Sequence, residues 1–339
     1  MEKTIAVPPA VYVLRTTGNL ETALDLGFTT LRDGGGLDWS FRAAVDQGLI
    51  RGPRLFLSVN PLTQTGGHAD KRGASRDDFM PRNSIGVYPE VCDGVDEVRK
   101  GAREALRRGA DQVKVMADGG VASPSDTPGQ WQYTVDELRA AVETAEAADT
   151  YVMAHVYTSK AGRNCLEAGV RSIEHGNLLD QETIKLIAEK GAYLVPTLTT
   201  YDVLAKEGAK AGMDPYVIEK LHHVHEGALR TLELAYRAGV KICSGTDIIG
   251  PYQHLKGREF ALKAEVMTPM ETIVSATRTN AELLNISDRL GTLEPGKLAD
   301  LIVMDGNPLD DPTLFERGLE TVVLVMKEGV IMKDLLITR

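Results

Sequence analysis

Short unbroken runs of apolar and β-branched residues recur along this 339-residue chain, each followed by an amphipathic stretch long enough for a helix. The runs fall at residues 27–33, 53–59, 112–117, 151–156, 172–176, 192–198 and 241–247. None alternates strictly between apolar and polar, so they read as strands covered on both faces. Helices are predicted between them from their ends as well as their faces. Asp93 is placed to cap a helix in which Val95, Val98, Ala102, Ala105 and Leu106 share one side, with Gly109 to stop it. Thr134 with Glu137, and Thr268 with Glu271, have capping-box spacing, the second with proline at the first helical position. Residues 11–26 read as one more helix, ahead of any strand.

Strand–helix alternation at this spacing predicts an α/β fold with a parallel sheet. Pattern alone leaves a doubly wound open sheet as an alternative. Seven strands is one short of closure, and the count favours a (β/α)8-type TIM barrel whose first strand is absent. Near residue 285 the pattern changes. Residues 290–295 are turn-rich, 299–305 form one strand, and 319–327 with 330–334 make a candidate hairpin around Glu328-Gly329. The expected organisation is a barrel over residues 1–285 and a small β subdomain over 286–339. Three short strands bury little alone, so the second part should dock on the first.

Composition sets limits. With 43% hydrophobic and 25% charged residues the chain reads as a soluble globular protein. A net charge of -10 argues against nucleic acid as a partner, because binding a phosphate backbone needs clustered cations. Cys92, Cys165 and Cys243 form no C-x-x-C pair, which disfavours a thiolate zinc site and suits a reducing compartment. No stretch reaches the roughly 20 apolar residues of a membrane span. Residues 1–10 lack the layout of a signal peptide. The expected location is cytoplasmic, with no membrane partner.

Lys114, His155, His175 and Asp247 fall near the C-terminal ends of four predicted strands, where a barrel gathers its active site. Singly, each has an ordinary reading. A strand histidine is usually a satisfied polar residue, Lys114 an ion-pair partner, and Asp247 a helix cap. Four at one end favour a metal site, and imidazole with oxygen donors suits zinc or a similar divalent ion. Lys114 joins that set if CO2 converts its amine to a carbamate, an anionic oxygen donor. Tyr157 lies two residues beyond His155, on the same strand face, where it could polarise a scissile carbonyl. His254, Trp39 and Trp131 fall in loops at the same end. His222, His223 and His225 read as a solvated helix, since their spacing cannot bring all three to one face.

The ordered set of motifs resembles the amidohydrolase superfamily, closest to its prolidase-like (Xaa-Pro or Xaa-Arg dipeptidase) and imidazolonepropionase-like branch. Gln112-Val113-Lys114-Val115-Met116-Ala117 looks like the strand of the carboxylated lysine. Ala154-His155-Val156-Tyr157 and Ser172-Ile173-Glu174-His175-Gly176 resemble the two histidine strands, and Ser244-Gly245-Thr246-Asp247 the aspartate strand. The stretches 27–35 and 290–301 match as well. The resemblance implies a carboxylated Lys114 bridging two divalent metals, His155 and His175 on the second, and Asp247 on the first, acting as the base. It also places His68, in Gly66-Gly67-His68, beside the substrate. Arg32, Arg72, His68 and Tyr157 are candidates to hold a substrate carboxylate.

One part of the family pattern is not found. The superfamily opens with a strand ending in His-x-His, and no such pair precedes Gly27; His223-Val224-His225 is the one instance, in a helical context. Three expectations follow: a late start, a strand supplied by another subunit in a homo-oligomer, or a barrel holding one metal at Lys114, His155 and His175. The expected function is metal-dependent hydrolysis of an amide-like C–N bond in a small molecule, with ester or carbamate cleavage beside it. A weakly active or inactive oligomerising fragment and a heterocycle deaminase are the alternatives.

Overall fold

The computed structural model describes residues 7–70, 72, 88–123 and 126–336. Helix α1 (Pro9–Asp25) opens the described chain with proline at its first position and buries Leu20, Ala23 and Leu24. Then follow β1 (Thr30–Arg32), α2 (Trp39–Asp46), β2 (Arg54–Phe56), β3 (Leu62–Thr63), β4 (Glu90–Val91) and α3 (Gly94–Arg107). The middle of the chain alternates strictly: β5 (Val113–Met116), α4 (Val135–Glu146), β6 (Val152–Thr158), α5 (Ser159–Ala168), β7 (Ser172–Leu178), α6 (Gln181–Lys190) and β8 (Tyr193–Val195). After it come α7 (Leu198–Glu207), α8 (Pro215–Arg237), β9 (Lys241–Ile242), α9 (Arg258–Lys263), α10 (Pro269–Ala276) and α11 (Arg278–Leu283). The C-terminal part holds β10 (Leu301–Met304), the one-turn α12 (Gly318–Thr321), β11 (Val322–Lys327) and β12 (Val330–Asp334).

The fold is α/β with a parallel sheet, in the order β4-β3-β5-β6-β7-β8-β9. β1 and β2 pair separately, also in parallel. Asp111 N–H donates to Leu57 O at 2.7 Å, which ties that pair to the entry of β5. Two strands of the sheet, β3 and β4, were not among the predicted runs. At two residues each they are too short to leave a periodic signal. Between the sheet and its helices lies the main core, built on Val115, Ala154, Ile173 and Leu194 from the strands and Leu138, Ile184 and Leu232 from the helices.

Both predicted capping boxes form. Glu137 N–H reaches Thr134 Oγ1 at 3.3 Å while Thr134 N–H reaches Glu137 Oε2 at 2.7 Å, and Thr268 with Glu271 repeats the pattern. Asp93 does not cap α3 with its side chain. Its carboxylate instead accepts Thr65 N–H at 3.0 Å and the Thr65 hydroxyl at 2.6 Å. A loop donor 28 residues away has taken the oxygens that the helix amides would have used.

An antiparallel sheet, β10-β11-β12, follows the parallel one. Glu328 (φ 53°) and Gly329 (φ 80°) turn the hairpin, both left-handed as a two-residue turn of this kind requires. Leu24 of α1 packs with Val322 and Val325, and Arg54 at the start of β2 bonds Asp300 and Glu328. Among the described residues, no helix is long and apolar enough to cross a membrane. The three cysteines are buried free thiols.

Candidate functional site

The C-terminal ends of the strands border a cavity of about 1820 Å³. In parallel strands, partners in register point to the same side. Met116, His155, Glu174 and Val195 are such partners across β5 to β8, and Lys114, Met153, Ser172 and Tyr193 form the layer beneath. Lys114, His155 and Glu174 all line the cavity. His175 is one residue out of phase with this face, yet it lines the cavity too. Its backbone supplies the reason: at φ 70° it breaks the alternation, and Gly176 follows at φ 67°. Thr197 (φ 49°) and Asp247 (φ 45°) are also left-handed, immediately past β8 and some residues past β9. Left-handed non-glycine residues are uncommon and costly, and three of them at neighbouring strand ends mark a site where side-chain placement outweighs backbone comfort.

The imidazoles meet. His68 stacks on His155 with ring centroids 4.4 Å apart, and His155 meets His175 edge-on at 4.7 Å. Gly120 lies against the His68 ring so closely that a Cβ there would sit 1.7 Å from His68 Cε1. His155 Nε2 is 3.2 Å from Gly119 O, and His175 Nδ1 is 2.7 Å from Thr197 Oγ1. Tyr157 packs behind both rings, 4.6 Å from His155 and 5.5 Å from His175. It is buried, and its oxygen accepts the Tyr201 hydroxyl at 3.0 Å. The Lys220 ammonium reaches across from α8 to Gly120 O, Ser123 O and Asp126 O, holding the loop that carries Gly119 and Gly120.

Beneath the histidines lies a buried charge cluster. Arg32, on the cavity wall, donates to Glu174 Oε2 at 2.7 Å and to Ser172 Oγ at 3.0 Å, so its guanidinium is anchored to this cluster. Arg72 is likewise held by Asp70. Burial lowers the Lys114 pKa, with Glu174 and Asp247 opposing and Arg32 assisting. Burial, with the neighbouring His155, holds His175 well below the ordinary histidine range. The Asp247 carboxyl is pushed up to about 6 by burial, and Asp33, near both Asp247 and Lys114, up to about 7. Lys256 lines the cavity and is lowered to about 8 by burial, with Asp247 opposing.

Sequence reasoning placed Lys114, His155, His175, His68, Tyr157 and Asp247 at this site; the structure puts five of them on the cavity wall, whereas Tyr157 is buried behind the imidazoles and does not line it. His254 is exposed, its Nδ1 3.2 Å from Pro251 O, and neither Trp39 nor Trp131 lines the cavity. His222 and His223 are exposed on α8. Asp33, Glu174, Thr197 and Lys256 were missed. Asp33 and Glu174 stood inside quoted motifs as unremarked neighbours, whereas Thr197 and Lys256 carried no signal.

Asp118, fully buried, accepts Tyr157 N–H at 2.7 Å, Thr158 N–H at 2.6 Å and the Thr158 hydroxyl at 3.1 Å. Burial nevertheless raises its pKa from 3.8 to about 7. The folded chain therefore keeps a proton that the unfolded chain releases between those values. Stability from this group is complete below about pH 4 and falls as pH rises to about 7, by up to about 1.4 kcal/mol per unit. Asp118→Asn is expected to flatten that slope in the metal-free protein. Urea midpoints at pH 5 and pH 7 measure it; a difference identical to wild type would mean that Asp118 is already ionised at pH 5.

The donors can be tested against a metal. Among the described residues, no three His, Cys, Asp or Glu side chains form a ready cage. Two imidazoles are adjacent, and the third group on the wall is a buried lysine whose pKa is lowered by burial. Such an amine can add CO2, and the carbamate would complete a set of two nitrogens and an oxygen. The residues therefore fit a divalent ion on condition that Lys114 is carboxylated.

The family model described as "Amidohydrolase family" matches residues 2–332. Ochratoxinase of Aspergillus niger is 33% identical over 342 residues, covering 97% of this chain and 70% of that protein. A crystal structure of a prolidase complexed with N-methylphosphonate-L-proline superposes with a TM-score of 0.93 at 44% identity, covering 98% of this chain and 82% of that one. A Xaa-Pro dipeptidase with methionine in its active site gives 0.85 at 34% identity, covering 95% and 79%. With a match along nearly its whole length, the chain belongs to the amidohydrolase family and is a hydrolase.

Proposed function

We propose that this protein is a metal-dependent amide hydrolase on a (β/α) barrel scaffold, cleaving the C–N bond of a small molecule such as a dipeptide or related N-acyl compound. The observation that carries the reading is the buried Lys114 on the cavity wall with the adjoining His155–His175 pair, in a family whose similar members include a prolidase and an ochratoxinase. Lys114 as its carbamate, His155, His175 and Asp247 would hold one or two divalent ions of the zinc type. When bound, such an ion supplies Lewis-acid polarisation and makes water nucleophilic near neutral pH.

The chain's own groups do the rest. Asp247, on the cavity wall past β9, takes the proton of the attacking water and passes it to the leaving nitrogen. Tyr157, buried behind the His155 and His175 rings and off the cavity wall, keeps its phenol protonated and accepts the Tyr201 hydroxyl, so it backs the two imidazoles from inside the fold. His68, stacked on His155, faces the substrate from the cavity wall.

Metal analysis of protein purified in zinc and bicarbonate, together with a panel of dipeptides, N-acyl amino acids, lactams and esters, tests this. About one or two ions per chain and cleavage of the amides are expected. A protein that binds no divalent ion and leaves the whole panel intact sinks the proposal.

A further inference from the structure

The groups described so far sit on strand ends or on the loops after them. Behind two of those ends lies a brace. Past Asp247 the chain makes a short 3-10 turn and then α9, where Glu259 and Lys263 stand one helical turn apart, 1% and 0% exposed. A buried carboxylate and a buried ammonium both require partners. Glu259 finds its partners on α7: Oε1 accepts Leu198 N–H at 3.1 Å, and Oε2 accepts Thr199 N–H at 2.9 Å and the Thr199 hydroxyl at 2.8 Å. These are the first amides of the helix, which have no acceptor within it. The residue at the cap position, Thr197, makes no cap bond with its side chain. A carboxylate from 60 residues away does that work.

Thr197 is thereby freed for another contact. Its hydroxyl meets His175 Nδ1 at 2.7 Å, from a left-handed backbone at φ 49° that a β-branched residue adopts only under constraint. Lys263 acts on the other strand end. Its ammonium donates to Cys243 O at 2.8 Å and to the Ser275 hydroxyl, at the root of the segment that ends in Asp247. The two charges also offset one another across the helix turn.

We propose that Glu259 is a positioning residue for His175. By capping α7 from outside, it holds Thr197 in its left-handed conformation and so fixes the orientation and tautomer of the His175 imidazole. With Nδ1–H donating to Thr197, the lone pair of Nε2 is left for the site. The consequence for catalysis rests on the hydrolase reading above, whereas the geometry of the brace does not.

Long-range 1H–15N spectra of the metal-free protein read the His175 ring directly. Thr197→Val sets the reference displacement for a ring that has lost its Nδ1 partner. Glu259→Gln places an NH2 group against the helix amides, and it is expected to move the His175 signals in the same direction as Thr197→Val. The double variant should move them no further than Thr197→Val alone. On an amide substrate, kcat should fall about 10–100-fold with KM within about twofold. Should Glu259→Gln fold poorly, Thr199→Ala removes one of the three bonds without touching the charge and should give a smaller shift of the same signals. His175 signals that stay at wild-type positions in Glu259→Gln, or in Thr199→Ala where that is the variant that folds, overturn the proposal. So does a double variant whose displacement is the sum of the two. Shifted signals in a protein inert to every amide leave the brace standing and count against the hydrolase reading alone.

Discussion

Lys114→Ala is expected to release divalent metal on dialysis and to lower kcat/KM for amide cleavage by at least about 10³-fold, the several kcal/mol that metal activation of water contributes. The lysine is 5% exposed and stands one layer below His155 on the inner face of the sheet. As an ammonium it would repel a cation. As a carbamate it would add an anionic oxygen donor to the two imidazoles, which alone hold a divalent ion weakly. Burial lowers the pKa of the amine, which favours the change, because only the neutral form attacks CO2. Reconstitution of the metal-free wild type should therefore be speeded by bicarbonate, and Lys114→Met, which fills the same space, should not respond. Metal content and rate measured on the same samples decide the matter. A variant that keeps its metal and stays within tenfold of the wild-type rate removes Lys114 from the site.

Much of this arrangement was legible in the chain, for a physical reason. A parallel sheet covered on both faces writes its strands as unbroken apolar runs, and a polar residue at the end of such a run is conspicuous. Lys114, His155 and His175 stood out in this way. Asp247 did so as well, although regular pairing of β9 stops at Ile242, five residues before it. What could not be read was anything set by contacts distant in sequence. Glu174 sat in plain view beside His175, but its partner Arg32 is 142 residues away. Thr197 owes its role to a left-handed backbone, and Asp93 lost its predicted cap to a loop threonine. His254 illustrates the converse: its place in the loop after Asp247 suggested the cavity, and the 3-10 turn carries it out to solvent. Residue spacing records which face of an element a side chain occupies, and it is silent about which distant group will claim that side chain.

The Arg32–Glu174 pair shows how such a claim reaches the chemistry. Arg32→Met is expected to lower unfolding free energy by about 3–5 kcal/mol, because it strands a buried carboxylate rather than simply deleting a contact. The pair is well enclosed, at 12% and 5% side-chain exposure, and Ser172 adds a bond to Glu174 at 2.5 Å. Arg32→Met/Glu174→Leu removes both charges and should recover most of the loss, which a double-mutant cycle in urea measures. A second effect follows from the position of Lys114. Arg32 both repels the Lys114 ammonium and neutralises the carboxylate that would otherwise stabilise it. Without Arg32, Glu174 holds Lys114 in its charged form, and CO2 has less neutral amine to attack. Arg32→Met should thus load metal poorly even at temperatures where it stays folded, and the double variant should load better than the single one. Equal loading in both, at wild-type level, would reduce the pair to a structural element with no influence on Lys114.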